Sequence, residues 1–561
     1  MTLTQGKGED ARFTFDGQPL PFRPGQSLAA ALTEAGQRQF RDTAKGASRG
    51  IFCGMGVCQD CLVTVDGQPN IRACMTPAKP GMKVARQVPF PSLSDAVAPA
   101  PAAPARVIAP DVLVIGGGAA GLSAAIAARA AGASVVVLDE RKVGGGQYFK
   151  QSAVSAPLDA QQAQGAALLA RAEASGAEII GEVQIWGAFD GPLILAERLG
   201  AALVARPRRI IVATGAYERP EIVPGWTLPG VMTTGAAQTL WRSYRTLPGQ
   251  RVALFGSGPL NLQVARELMQ GGAQVMLVAE RGPAPWTRPI QAAALALAGP
   301  RLAATGLATI RDLRRGGVAL SYRTHLTGIT AEGGALSARF RRAGGEETSL
   351  TVDAVLMNAG FEPQNEILRL LGAAAEYDPA MGHLRLRRAE DGETSVPGLY
   401  AVGDCAGLGG APAAMVEGRI AGRAAAASVG FGSAHDIFAD LRDLARHRRF
   451  QRRLWALHDI APRMPDVPDE TIICRCEELT AGQIRAGLEE GPGHLGTLKR
   501  ATRLGMGRCQ GRYCGPVGAR LVAAATGQAI ADRSHFAPRV PIKPVAISAI
   551  LAAEEAVRDA L

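Results

Sequence analysis

Aromatic side chains make up only 5% of the 561 residues, and no basic run is interleaved with them. Stacking platforms for bases are missing, so nucleic-acid binding is not expected. No stretch reaches ~18 uninterrupted apolar residues, so no membrane span is expected. The opening MTLTQGKGED is polar and lacks a signal-peptide h-region. A cytoplasmic chain is therefore expected. The seven histidines are scattered, none in a metal-ligand spacing.

Glycine and cysteine are in excess. There are 68 glycines, well above average usage of about 7%, which suits phosphate-cradling turns and tight cofactor loops. A chain of this length calls for three or four domains. Net charge is +11, read either as solvated arginine-rich faces or as attraction for anionic cofactors or an acidic partner. The one dense basic run, Arg442 to Arg453, reads as an exposed helix or a docking face.

Eight of the nine cysteines form two sets of four. Cys53, Cys58, Cys61 and Cys74 are spaced C-x4-C-x2-C-x12-C. Cys474 and Cys476 form C-x-C, and Cys509 and Cys514 form C-x4-C. Four thiolates are what one 2Fe–2S cluster needs; zinc is the competing reading of the first set, although its spacing is not usual for a zinc knuckle. In an expected cytosolic chain, metal is favoured over disulfides. Cys405 is left over and reads as a small semi-buried residue.

The segment FTFDGQPLPF reads as two strands around the Asp16-Gly17 turn, followed by a helix capped by Ser27 and ended at Gly36. At Asp111, DVLVIGGGAAGLSAAIAARAAGASVVVLDE reads as strand, glycine turn, helix and strand. Gly116, Gly118 and Gly121 form the G-x-G-x-x-G turn of a dinucleotide site, with the helix N-terminus facing the phosphates. Asp139, or its neighbour Glu140, stands where a ribose-binding acid is expected. A similar unit recurs at 251–280, with Gly256, Gly258, Asn261 in place of the third glycine, and Glu280 at the next strand's end. That unit is read either as a nicotinamide site, where Glu280 would favour NAD over NADP, or as a retained fold without nucleotide.

Three further marks follow in order: Gly144-Gly145-Gly146-Gln147, the strand end Ala213-Thr214-Gly215, and Gly403-Asp404 between a strand and a helix. Together they resemble the two-dinucleotide-binding-domain flavoproteins, a resemblance that implies an FAD site including Gly145, Gln147, Thr214, Gly215, Gly403 and Asp404. No C-x-x-C lies in this core, so a disulfide-reductase mechanism lacks its residues. The first quartet resembles the ferredoxin-like domain of sarcosine oxidase α subunits and hydrogen cyanide synthase. The second resembles the bacterioferritin-associated-ferredoxin-like 2Fe–2S domain.

The expected fold is α/β. A β-grasp ferredoxin-like domain spans 1–90 and a linker 91–109. An FAD domain in two parts, 110–245 and 366–430, encloses a second dinucleotide-type domain at 246–365. A bridge at 431–470, a small helical cluster domain at 471–525 and a helical tail at 526–561 follow. This order resembles the α-type subunits of heteromeric amino-acid and opine dehydrogenases. The resemblance implies FAD, two 2Fe–2S clusters, and an FAD-containing β subunit of amine-oxidase type that oxidises the C–N bond; some relatives add a further small subunit. The other readings are a stand-alone NAD(P)H-dependent reductase and a redox-sensing or assembly protein. No residues for amine oxidation are evident, and the substrate and electron acceptor are left open.

Overall fold

The computed structural model describes residues 11–92, 103–432, 437–464, 466–491 and 493–558. The first ten residues and most of the expected linker, 93–102, lie outside the described residues.

The first dinucleotide domain is built on a five-stranded parallel sheet. Its order is Glu178–Ile180, Val135–Leu138, Val112–Ile115, Arg209–Val212, Leu399–Ala401. The central strand VLVI is apolar at every position because both of its faces are covered. The helix Ala119–Ala130 covers one face and packs along Gly410–Ala427. Their approach is too close for larger side chains: a Cβ on Gly418 or Gly422 would lie 2.1 or 2.3 Å from the carbonyl oxygen of Ala120 or Ala124. This pairing carries Gly403-Asp404 back to the first glycine turn.

The inserted unit repeats the plan, with the parallel order Val231–Thr233, Ala354–Asn358, Arg251–Gly256, Gln274–Glu280, Ala319–Tyr322. The N-terminal domain is a five-stranded mixed sheet with the helix Leu28–Glu34, whose cap Ser27 accepts from Ala30 N–H at 3.2 Å. Asp16 and Gly17 both have positive φ, as a tight hairpin requires. This domain shares one core with the inserted unit, running from Phe13 and Leu28 to Ala236 and Leu254.

Two segments differ from expectation. The inserted unit begins before 246, since Val231–Thr233, assigned to the FAD domain, pairs within the second sheet. The C-terminal end of the expected linker is structural, since Arg106–Ile108 adds a parallel strand beside Ala201–Ala205. The arginine-rich run of the bridge lies on a helix, as expected: the 18-residue Phe438–Trp455, packed against Gly410–Ala427 and Pro289–Ala298. Its stripe of Leu441 and Leu444 joins the core, Arg448 reaches Glu417, and the helix's arginines are otherwise exposed. In the last domain Cys474 ends a short strand and Cys514 starts the helix Gly515–Thr526. The tail helix Ile547–Arg558 lies against Ala201–Ala205.

Candidate cofactor sites

A cavity of about 680 Å³ opens at the carboxyl ends of the first sheet, where ligands enter such folds. Gly116, Gly118, Asp139, Glu140, Gly145, Gln147, Thr214, Gly215, Gly403 and Asp404 all line it. Gly121 lies beneath, where a Cβ would sit 1.8 Å from the Gly116 carbonyl oxygen. Gly118 differs: its φ of −84° suits any residue, and a Cβ would meet only Gly146 Cα at 3.7 Å. The protein does not require glycine there, but a ligand against that backbone would. The chamber and its glycine cradle therefore fit a phosphate-bearing cofactor.

The acids around the cavity are arranged differently from one another. Asp139 accepts from Gly117 N–H at 2.6 Å and from Arg141 N–H at 2.7 Å, so it braces the glycine turn. Burial raises its pKa. Asp404 accepts from Gly409 and Gly410 N–H at 2.9 and 3.0 Å at the start of a helix, and burial raises it too. Gly403 N–H donates to Glu417. Thr214 donates to the Gln364 carbonyl at 2.5 Å. Cys405 is fully buried, its thiol near the Val212 and Val402 carbonyls, and serves as packing.

Glu140 is clamped by cations from both ends of the chain, Arg72 at 2.7 Å and Lys543 at 2.5 Å. Burial alone would raise its carboxyl, but the two cations outweigh it and hold it at about 2. This depressed pKa stabilises the fold above the ordinary glutamate range near ~4.3, and the contribution is lost as pH falls from there. Glu140→Gln is expected to flatten the acid limb of a melting-temperature profile between about pH 5 and 3; a limb as steep as the parent's would refute this.

The acid of the second glycine turn is engaged by the chain itself. Gly256 and Gly258 have φ of +129° and +117°. Asn261 accepts from Thr234 at 2.7 Å and donates to the Asn358 carbonyl at 3.2 Å, filling the space its missing glycine counterpart would leave. Glu280 is fully engaged: Oε2 takes Gly258 N–H and His458 Nδ1, both at 3.0 Å, and Oε1 takes Gly282 N–H and the Ser257 hydroxyl. Trp455 lies over Gly258, where a Cβ would be 3.6 Å from its ring. The space on the Glu280 side, among Gly258, Glu280, Tyr322 and His458, is about 20 Å³, too small for a ribose, whereas Pro259, Leu260 and Trp455 on the other side line the large cavity. Glu280 is thus not presented to a ribose as the sequence suggested. Trp455 and His458 carried no recognisable signal, because they belong to a bridge defined only by its polarity.

Each cysteine quartet divides into two touching pairs: Cys53 with Cys58 and Cys61 with Cys74, then Cys474 with Cys514 and Cys476 with Cys509. Among the described residues no three His, Cys, Asp or Glu side chains gather as ligands of one ion. Paired thiols suit the two irons of a 2Fe–2S cluster. Cys53 Sγ accepts from Cys58 N–H at 3.4 Å and Met55 N–H at 3.5 Å. Burial would raise its pKa, but these donors and the Cys58 thiol bring it down to about 6. Cys474 falls to about 7 through its contact with Cys514, against burial. The Tyr513 hydroxyl is buried near Cys53 and Cys58 of the first quartet and Cys509 of the second without a hydrogen-bond partner among the described residues. Cys53, Met55 and Val57 form part of the large cavity's wall.

Comparison with known proteins agrees with this layout. Three family profiles match: a 2Fe-2S iron-sulfur cluster binding domain over 8–89, pyridine nucleotide-disulphide oxidoreductase over 110–426, and the sarcosine oxidase A3 domain over 469–555. An opine oxidase subunit of Rhizobium meliloti is 33% identical over 451 residues, 78% of this chain and 98% of the relative. Two hydrogen cyanide synthase subunits of Pseudomonas aeruginosa also match. HcnB is 31% identical over 358 residues, 61% of this chain and 75% of HcnB; HcnA is 41% identical over 75 residues, 13% of this chain and 72% of HcnA. The crystal structure of L-proline dehydrogenase from P. horikoshii shares the fold along 98% of both chains, with a TM-score of 0.71 and 21% identity. The chain therefore belongs to the pyridine nucleotide-disulphide oxidoreductase family, in the group of the opine oxidase flavoprotein subunits, as a flavin and 2Fe–2S oxidoreductase subunit.

Proposed function

We propose that this chain is the electron-transferring subunit of a heteromeric dehydrogenase acting on the C–N bond of an amino acid, imino acid or opine. In this reading FAD occupies the 680 Å³ cavity, each quartet holds a 2Fe–2S cluster, and a partner FAD subunit of amine-oxidase type oxidises the substrate. Bound FAD accepts electrons in pairs and releases them singly, and a 2Fe–2S cluster carries one. The protein's share is positional. The glycine turn and the helix Ala119–Ala130 present N–H groups to a pyrophosphate, Asp139 and Asp404 brace the turns on either side, and the cysteine loop walls the chamber. HcnA and HcnB are separate subunits, whereas this chain resembles both; the N-terminal domain takes the place of a separate small subunit.

The observation that carries this reading over a stand-alone NAD(P)H reductase is the engaged Glu280 at the second turn. Trp455 lies over Gly258 and His458 engages Glu280, so in this reading no nicotinamide dinucleotide is held at the second turn and electrons arrive by another route. The test is an anaerobic titration of the purified complex with its partner subunit. NADH and NADPH are expected to leave the flavin absorbance unchanged, while one member of a panel of D-amino acids, imino acids and opines bleaches it. Rapid full bleaching by NADH would overturn the proposal.

A further inference from the structure

Asp60 stands between two ligands of the first quartet, Cys58 and Cys61. Arg475 stands between two ligands of the second, Cys474 and Cys476. They are 415 residues apart in sequence, yet Arg475 Nε donates to Asp60 Oδ2 at 2.6 Å with both side chains almost wholly buried. The other oxygen of Asp60 takes Arg41 at 2.7 Å. Arg475 is fixed on every side. Its Nη1 donates to the Trp226 carbonyl at 2.9 Å, and its guanidinium lies 3.9 Å from the ring centre of Phe52 and 4.8 Å from that of Trp226. A second contact repeats the arrangement: Phe52, just before Cys53, meets Tyr513, just before Cys514, edge to face at 5.5 Å.

A buried ion pair gives little net stability, because desolvation offsets most of the attraction, but its geometry is specific. Two contacts made by the immediate neighbours of ligands leave the quartets little freedom to move relative to each other. Their order is also set. Cys53 stands on the cavity wall and no cysteine of the second quartet does. Cys476 is the one cysteine of the eight that is partly exposed.

We propose that Asp60–Arg475 and Phe52–Tyr513 form a clamp that holds the two quartets as one docked pair, the first facing the flavin cavity and the second facing outward. The inference rests on the reading that each quartet holds a 2Fe–2S cluster. Asp60 and Arg475 are positioning residues: they bind no iron but fix one cluster loop against the other.

The test uses the full-length holoprotein, with iron and sulfide counted first. Electron paramagnetic resonance spectra are then recorded at partial and full reduction by dithionite. With four irons per chain, full reduction is expected to split or broaden the signal and speed its relaxation, through magnetic interaction between two neighbouring reduced clusters. At partial reduction, with one cluster reduced, the signal is expected to be narrow. The parent protein supplies this comparison without any variant. Arg475→Lys keeps the charge and loses the fork and the ring stacking, and is expected to retain its iron while the interaction weakens severalfold. Four irons with a fully reduced spectrum that is a plain sum of two isolated signals would overturn the clamp. Two irons per chain would instead overturn the two-cluster reading, and the clamp with it.

Discussion

Gly118→Ala is expected to fold and to melt like the flavin-free parent chain yet to be purified without its yellow flavin, whereas Gly121→Ala loses flavin and melts well below the flavin-free parent. The two positions lie three residues apart in one turn but meet different surroundings. An added methyl on Gly118 touches only Gly146 Cα, at 3.7 Å, and otherwise projects into the cavity. The backbone there accepts any residue, so the folded state bears almost no cost. The methyl instead occupies the ground where a pyrophosphate must approach the helix N-terminus, and a roughly tenfold or greater loss of flavin affinity follows from losing that close approach. On Gly121 the methyl would lie 1.8 Å from the Gly116 carbonyl oxygen and 3.1 Å from Val114 Cγ1. Relief requires the helix Ala119–Ala130 to draw away from the central strand, and overpacking of that kind costs about 1–3 kcal/mol or more. Flavin-to-protein ratios and thermal melts on the two variants separate the effects. If Gly118→Ala keeps its flavin, the cavity is not the flavin site.

The contrast between these glycines shows what was legible in the sequence. Both turns could be read from strand–glycine–helix patterns because the relevant contacts are local: a turn, the helix it opens and the adjacent strand. The Asp16-Gly17 hairpin and the Ser27 cap were legible for the same reason. The cysteine quartets were visible by spacing, and the fold brings every member to its set. Contacts between distant segments were not visible. Glu140 could be assigned to a ribose from its position at a strand end, but Arg72 and Lys543, which hold it, come from opposite ends of the chain. Glu280 had the same positional claim, and His458, 178 residues away, engages it. The helix of the bridge was legible as a basic run, but its docked face was not, because the apolar stripe that holds it is thin. The end of the expected linker was misread because Ala and Pro around Arg106 mask a three-residue strand whose partner lies about a hundred residues on.

Asp60→Ala is expected to produce the largest loss of stability among substitutions that leave every cysteine in place. The carboxylate is 1% exposed and is shared between Arg41 and Arg475, themselves only 10% and 4% exposed. Arg49 stands close enough to act on it as well. Removing the carboxylate leaves two buried guanidiniums facing each other with no anion between them. Breaking a buried pair in this way costs roughly 3–5 kcal/mol, because the surviving charge can neither reach water nor lose its proton. For a domain of this size that corresponds to a fall in melting temperature of more than about 10 °C. Arg475→Met is expected to cost less, since Arg41 remains to pair with Asp60 and the methionine can cover Phe52 and Trp226. The asymmetry discriminates between mechanisms. If the clamp acted only through packing, Asp60→Ala, which removes few apolar contacts, would be the milder change. If it acts through charge balance at the junction, Asp60→Ala is the worse, and thermal melts of the two variants at neutral pH decide. An anion at this point also explains how Arg41 of the N-terminal domain and Arg475 of the C-terminal cluster domain can approach one buried point in a chain of net charge +11: Asp60 is the charge between them.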